Sequence, residues 1–256
     1  MKALEVTGLS AAYDGTGVLD DISFTLDRGA LAGIIGPNGS GKTTLLKSIM
    51  GIVKPASGEV RLFGEPLNAV RDKVSYVPQR QSVDWDFPAT VIDVARMGRY
   101  KKGKLFGRLS AEDKKAAEEA LEKTGLTELR NRQISALSGG QQQRVFIARA
   151  LAQAAEIYFM DEPFAGIDAA SEAAIAGLLG EMRDAGKTVV LVHHDLHTAA
   201  GYFNSIALLN RRLVAFGPPK EVLNTTHLRA AYGVRFGTSA DIFGGTGPEA
   251  EKAGDR

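Results

Sequence analysis

Cysteine does not occur in this chain of 256 residues. Disulfides, thiolate catalysis and cysteine-ligated metals are therefore excluded, and a reducing compartment is compatible. Long apolar runs are missing as well. None approaches the roughly 18 to 20 residues that span a bilayer, and the opening stretch, MKALEVTGLS, has no apolar core of the kind a secretion signal needs. If the protein works at a membrane, another chain is expected to hold it there. Charge of one sign is also lacking. The formal net charge is +1, so no overall basic field argues for nucleic acid as a partner or for an anionic membrane surface. What remains is ordinary for a soluble globular protein, 44% hydrophobic and 24% charged. The length suits one large domain, or one domain with a subdomain, and is ample for a sizeable core.

The first thirty residues alternate, as in KALEVTGL and DISFTLDRG, with breaks at Gly15 and Gly29. This pattern predicts short antiparallel strands. LAGII, Leu31 to Ile35, is a continuous apolar run and predicts a buried strand. A glycine-rich turn and a helix from Lys42 to about Met50 follow, and GEVRLFG and VSYVP predict further strands. From about Val83 to Gln153 the period becomes helical. Ser110 with Asp113 three residues on makes a capping box, with Gly125 near the stop. IYFM (Ile157 to Met160) and VVLV (Val189 to Val192) have the pattern of strands buried on both faces. Between them Ile175, Leu178, Leu179 and Met182 form an apolar helical stripe that packs into a core, and Gly186 is a natural stop. Beyond about Gly244 the glycine-rich end is expected to be loose. The pattern is an α/β core interrupted by a helical insertion, with no internal repeat.

The stretch GPNGSGKTT carries G-x-x-x-x-G-K-T after a predicted strand and before a predicted helix, the context this motif requires. It comprises Gly36, Pro37, Asn38, Gly39, Ser40, Gly41, Lys42, Thr43 and Thr44. Glycines let the backbone curl so that N–H groups point at phosphate oxygens, and the helix start adds its positive end. Lys42 is expected to reach the β- and γ-phosphates, and the Thr43 hydroxyl to ligate Mg²⁺. The alternative is a glycine-rich strand-to-helix turn with a chance lysine.

IYFMDEP places Asp161 and Glu162 at the end of a buried strand, where open α/β sheets face their ligand. An aspartate there holds Mg²⁺, and the adjacent glutamate polarises a water for attack on the γ-phosphate. Two ordinary surface acids are the bland alternative. VVLVHHDLH carries three of the four histidines. His194 and His197, three apart, fit a metal pair on a helix, but a strand-to-loop transition falls here and no acidic pattern supports zinc. His194 beside the γ-phosphate, donating a hydrogen bond, is the better assignment, with His193 and His197 incidental. SGGQQQR, from Ser138 to Arg144, leads into the helical run RVFIARALAQA. Ser138 caps that helix and Gln141 completes a capping box. Two glycines at the first helical positions weaken it, by about 1 kcal/mol each against alanine, yet permit backbone N–H groups to approach an anion.

Together these residues resemble the nucleotide-binding subunits of ABC transporters, in that family's order across roughly residues 3 to 225. GPNGSGKT is similar to the family's phosphate loop. Tyr13 stands where the family places an aromatic that stacks on adenine. Gln79 in YVPQ matches the glutamine that ligates Mg²⁺ and senses the permease. LSGGQQQR, Leu137 to Arg144, matches the signature. IYFMDEP matches the second carboxylate motif, with Glu162 as base. FAGIDAAS corresponds to the D-loop, retaining Asp168 but reading A-G-I-D for the usual S-A-L-D. His194 matches the switch histidine. The resemblance implies a P-loop NTPase of ABC type, a mixed-sheet α/β core with an N-terminal antiparallel β subdomain and a helical subdomain. Residues 1–79 and 154–227 would form the core, 80–153 the helical subdomain with the signature, and 228–256 a C-terminal tail.

The same resemblance implies a homodimer paired head to tail. Each ATP would lie between one copy's phosphate loop and Ser138, Gly139, Gly140 and Gln141 of the other, the γ-phosphate being the anion that the two glycines await. The pair would drive an integral membrane permease at the cytoplasmic face of the inner membrane, served by a separate substrate-binding protein. The run D-W-D-F-P-x-T-V-x-D-V-x-x-M-G-R-Y after Gln79 looks like importers of manganese and zinc, sometimes iron. Siderophore or haem import is the alternative, in which Trp85 and Phe87 are generic anchors for a permease helix. RYKKGK, Arg99 to Lys104, suits a solvated loop or one near lipid headgroups. A soluble ABC-type ATPase acting on DNA or ribosomes fits less well. The phosphate loop and signature are only about a hundred residues apart, with no heptad run between them.

Overall fold

Alternation organises the N-terminal third of the chain. The computed structural model describes residues 1–13, 16–100 and 109–233, the Tyr13 side chain excepted. In it the chain opens with β1 (Lys2–Tyr13) and β2 (Thr16–Asp27), each 12 residues long and so longer than the short strands the pattern predicts. Register shifts interrupt their antiparallel pairing between Lys2 and Leu4 and at three places from Val6 to Ala12. β3 (Leu31–Ile35) follows, then α1 (Lys42–Ile49), both at the predicted positions. β4 (Ser57–Leu62) returns to pair antiparallel with β1, completing a three-stranded sheet in the order β2-β1-β4.

The second sheet has six strands. Its members are β3, β5 (Val74–Val77), β6 (Ile157–Asp161), β7 (Thr188–Val192), β8 (Ser205–Asn210) and β9 (Arg212–Gly217), in the order β5-β6-β7-β3-β8-β9. The first five run parallel and β9 is antiparallel at the edge. Continuous apolar runs follow from burial on both faces. Ala32 and Ile34 of β3, Phe159 of β6 and Val190 of β7 face one core, together with Leu45, Leu46 and Ile49 of α1 and the antiparallel sheet. Leu31, Tyr158, Met160, Val189 and Leu191 face a second core. There they meet the predicted stripe Ile175, Leu178, Leu179 and Met182 on α5 (Ala169–Asp184). Each such fully buried aliphatic chain contributes about 1.5–3 kcal/mol.

Between β5 and β6 lie α2 (Val91–Met97), α3 (Ala111–Lys123) and α4 (Gly139–Ala152). They share a third core built on Val91, Val94, Leu121, Val145 and Ala148. Capping boxes start all three, Thr90 with Asp93, Ser110 with Asp113 and Ser138 with Gln141. After β7 come α6 (Leu196–Tyr202), α7 (Pro219–Val222) and α8 (Thr225–Tyr232). No hydrophobic period in the sequence marks an element between Val192 and the tail. The β8–β9 hairpin goes unmarked because its turn holds no glycine; Arg211 itself adopts φ 59°. The tail beyond Gly233 and Lys101–Lys104 lie outside the described residues. Arg99 is within them. Its Nε donates to Asp113 Oδ1 at 2.8 Å and Nη1 to the Ala152 carbonyl at 2.9 Å, so this half-buried start of the run is tied to α3 and α4.

Candidate functional site

Parallel strands end together, and in the order β5-β6-β7-β3 their carboxyl ends stand side by side. Gln79 follows β5, Asp161 and Glu162 close β6, His193 and His194 follow β7, and the phosphate loop follows β3. The topology thus gathers residues from four separated segments into one crevice. The Tyr13 side chain is outside the described residues, although its backbone pairs with Thr16.

The loop is drawn tight. Gly41, the residue before α1, has φ 96°, a conformation that favours glycine. The Lys42 ammonium donates to the carbonyls of Gly36 at 2.8 Å and Pro37 at 2.9 Å, closing the loop on itself. Burial lowers the Lys42 pKa, opposed by the charges of Glu162 and Asp161. Ser40 is buried, while Asn38 and Gly39 at the tip are exposed and Thr44 is half-buried on the first turn of α1. Thr43 Oγ1 donates to Asp161 Oδ1 at 3.0 Å. Asp161 Oδ2 is buried without a hydrogen-bond partner among the described residues. Burial raises the Asp161 pKa, partly offset by the Thr43 bond. A hydroxyl and a carboxylate with one oxygen unengaged are the hard oxygen donors that Mg²⁺ takes, so these residues fit the ion.

Glu162 has φ 49°, where a residue other than glycine is strained by about 1–3 kcal/mol. Its carboxylate accepts from Gln79 Nε2 at 2.8 Å. His194 is exposed at the end of β7. His193, by contrast, is turned inward and buried. Its ring packs edge-on against Phe164 and Phe203, and Nε2 is 2.8 Å from Thr198 Oγ1. Burial, with the neighbouring His194 charge, lowers its pKa to about 4. It is a neutral core histidine beneath His194, a role the sequence run HH does not distinguish. His197 is exposed, one residue into α6.

The signature stands at the start of α4. Ser138 Oγ accepts from the Gln141 N–H at 3.3 Å, and Gln141 Oε1 accepts from the Ser138 N–H at 3.0 Å. The two glycines have a packing reason besides any ligand. A Cβ on Gly140 would lie 2.3 Å from Ser171 Oγ and 2.7 Å from its Cβ, and one on Gly139 would lie 3.1 Å from the Arg80 guanidinium carbon. Ser171 belongs to the first turn of α5, where Asp168 caps the helix by accepting from the Ser171 N–H and Oγ, both at 2.9 Å. These bonds hold the Asp168 carboxyl below its ordinary pKa. Signature and D-loop therefore touch within one chain, a contact that no spacing in the sequence announces. Trp85 also differs from an outward anchor. It is half-buried edge-on against Phe146 of α4 at 5.2 Å, whereas Phe87 is 52% exposed.

The arrangement is a curled glycine-rich loop closed by Lys42, with an oxygen pair of the kind a divalent ion takes and the Glu162 carboxylate, on a strained backbone, beside them. Comparison with known proteins gives the family. The family model for ABC transporters matches residues 19–165. The chain is 52% identical over 235 residues to the manganese transport system ATP-binding protein MntB of Bacillus subtilis, covering 92% of this chain and 94% of that protein. It is 50% identical to the zinc transport system ATP-binding protein TroB of Treponema pallidum, over 93% of this chain and 89% of that one. Among solved structures, the ADP conformation of an ATP-binding cassette of an ABC transporter superimposes with a TM-score of 0.80 at 26% identity, covering 91% of this chain and 98% of that one. The chain belongs to the ABC transporter family, as an ATP-binding subunit that hydrolyses ATP.

Proposed function

We propose that this chain is the motor of an importer for divalent metal ions, manganese or zinc before iron, working as a head-to-tail dimer on a separate permease at the cytoplasmic face of the membrane. One observation carries the metal assignment: over nine-tenths of the chain, half the residues are shared with subunits named for manganese and zinc transport. Among the described residues no helix is long and apolar enough to cross a membrane, which accords with a permease on another chain. The chain has one phosphate loop and one signature, so a second copy completes each site. A periplasmic or surface binding protein and the permease would select the metal, which is cargo and not a resident of this chain.

The chemistry follows from the named side chains. On ATP binding Lys42 exchanges the Gly36 and Pro37 carbonyls for β- and γ-phosphate oxygens, and the curled loop from Gly36 to Thr44 supplies N–H donors. Thr43, Asp161 and Gln79 would hold Mg²⁺, which when bound would supply positive charge to offset that on the phosphates. Glu162 takes the proton of the attacking water, so Gln79 Nε2 must share or surrender that carboxylate as the site fills. His194, exposed at the crevice, donates to the γ-phosphate. Ser138, Gly139, Gly140 and Gln141 of the second copy close over the same phosphate, with Asp168 beside them, and Tyr13 stacks on the adenine. The test is reconstitution with the permease and binding protein. Stimulation of hydrolysis by the manganese- or zinc-loaded binding protein is expected. Tight ribosome or DNA association without a permease would overturn the assignment.

A further inference from the structure

Gln79 and the signature lie in different segments, and one side chain joins them. Arg80, the residue after Gln79, donates from Nε to Oε1 of Gln142 at 2.9 Å. Gln142 is buried in the first turns of α4, and its Nε2 donates onward to the Ile134 carbonyl at 3.2 Å. The Arg80 guanidinium occupies the space that Gly139 leaves open. The backbone of Arg80 is fixed in turn, its carbonyl accepting from Trp85 Nε1 at 2.9 Å while the Trp85 ring rests on Phe146, one turn beyond Gln142. Segment 80–85 therefore grips α4 at two points along one face.

Arg80 has no carboxylate within ion-pair distance among the described residues, so charge pairing does not explain an arginine here. Geometry does: the guanidinium is planar and carries Nε–H close to the backbone, where a lysine has only methylene. The position of Gln79 and the aim of the α4 N-terminus are thereby mechanically tied.

We propose that Arg80 is a positioning residue that sets the signature, Ser138 to Gln141, for the ATP of the second copy according to where Gln79 stands. This rests on the head-to-tail dimer proposed above. The test uses the full chain carrying Glu162→Gln, with Mg-ATP, and measures the ATP concentration for half-maximal dimerisation by sedimentation. Adding Arg80→Ala, Arg80→Lys or Gln142→Ala should each raise that concentration about tenfold, while ADP affinity, which reads the chain's own phosphate loop, stays within twofold. Arg80→Ala with Gln142→Ala should be no worse than either alone. Trp85 is the only tryptophan. Its emission should shift on ATP addition in the parent and lose that shift in Arg80→Ala. Normal dimerisation in Arg80→Ala, full rescue by lysine, additive effects of the two alanines, or an equal loss of ADP affinity would each overturn the proposal. If Glu162→Gln alone fails to dimerise, the dimer itself is wrong and the Arg80 role falls with it.

Discussion

Gly140→Ala sets two effects against each other. Alanine is the better helix former by about 1 kcal/mol in a helix interior, and less in the first turn. Against this, the new methyl would sit 2.7 Å from Ser171 Cβ and 2.3 Å from its hydroxyl. The hydroxyl can rotate, at the loss of its bond to Asp168, but the Cβ is fixed to α5. Overpacking of this kind costs about 1–3 kcal/mol. The clash wins, and urea denaturation should show a net loss of about 1–2 kcal/mol. Ser171→Gly removes the obstacle and leaves the Ser171 backbone N–H to Asp168 in place. The next atom a Cβ at 140 would meet is Asp168 Oδ2 at 3.7 Å, an ordinary contact. In a Ser171→Gly background, Gly140→Ala should therefore be neutral or slightly stabilising. The double-mutant cycle should return a coupling of about 1–3 kcal/mol. Additive effects would refute the claim that signature and D-loop pack against each other within one chain.

Lys42→Ala should weaken ATP binding by about 10- to 100-fold, the worth of a charge-assisted hydrogen bond, as read by calorimetry; unchanged affinity would discard the phosphate-loop role. His193 is held neutral in the fold with its pKa near 4 against 6.5 unfolded. Its contribution is complete above pH 6.5 and is lost as pH falls through that window, about 2 kcal/mol between pH 8 and pH 5. His193→Gln should flatten the pH dependence of unfolding by that amount. Leu45→Ala, at a fully buried position of α1, should destabilise by about 2–5 kcal/mol in denaturant titration.

Much of this was legible in the sequence where local chemistry decides. Apolar runs buried on both faces gave β3, β6 and β7, and capping boxes at Ser110 and Ser138 gave two helix starts. GPNGSGKTT and MDE announce a phosphate loop and a carboxylate pair because their chemistry is written in adjacent residues. Contacts between distant segments were not legible. Nothing near Gly140 names Ser171, and nothing near Arg80 names Gln142. The strands β8 and β9 lacked a glycine turn to mark them, and two adjacent histidines just past β7 diverge, one buried and one exposed, through packing against Phe164 and Phe203 that the run HH does not announce.

The central claim is that Glu162 is the base of a site completed by a second copy. Glu162→Gln keeps the shape of the side chain and one acceptor oxygen, which Gln79 Nε2 can still meet, but removes its basicity. The account predicts a fall in ATP hydrolysis of at least about 100-fold, with the protein sedimenting as a dimer in Mg-ATP and as a monomer without nucleotide. Retained hydrolysis, or a monomer in saturating Mg-ATP, would contradict it.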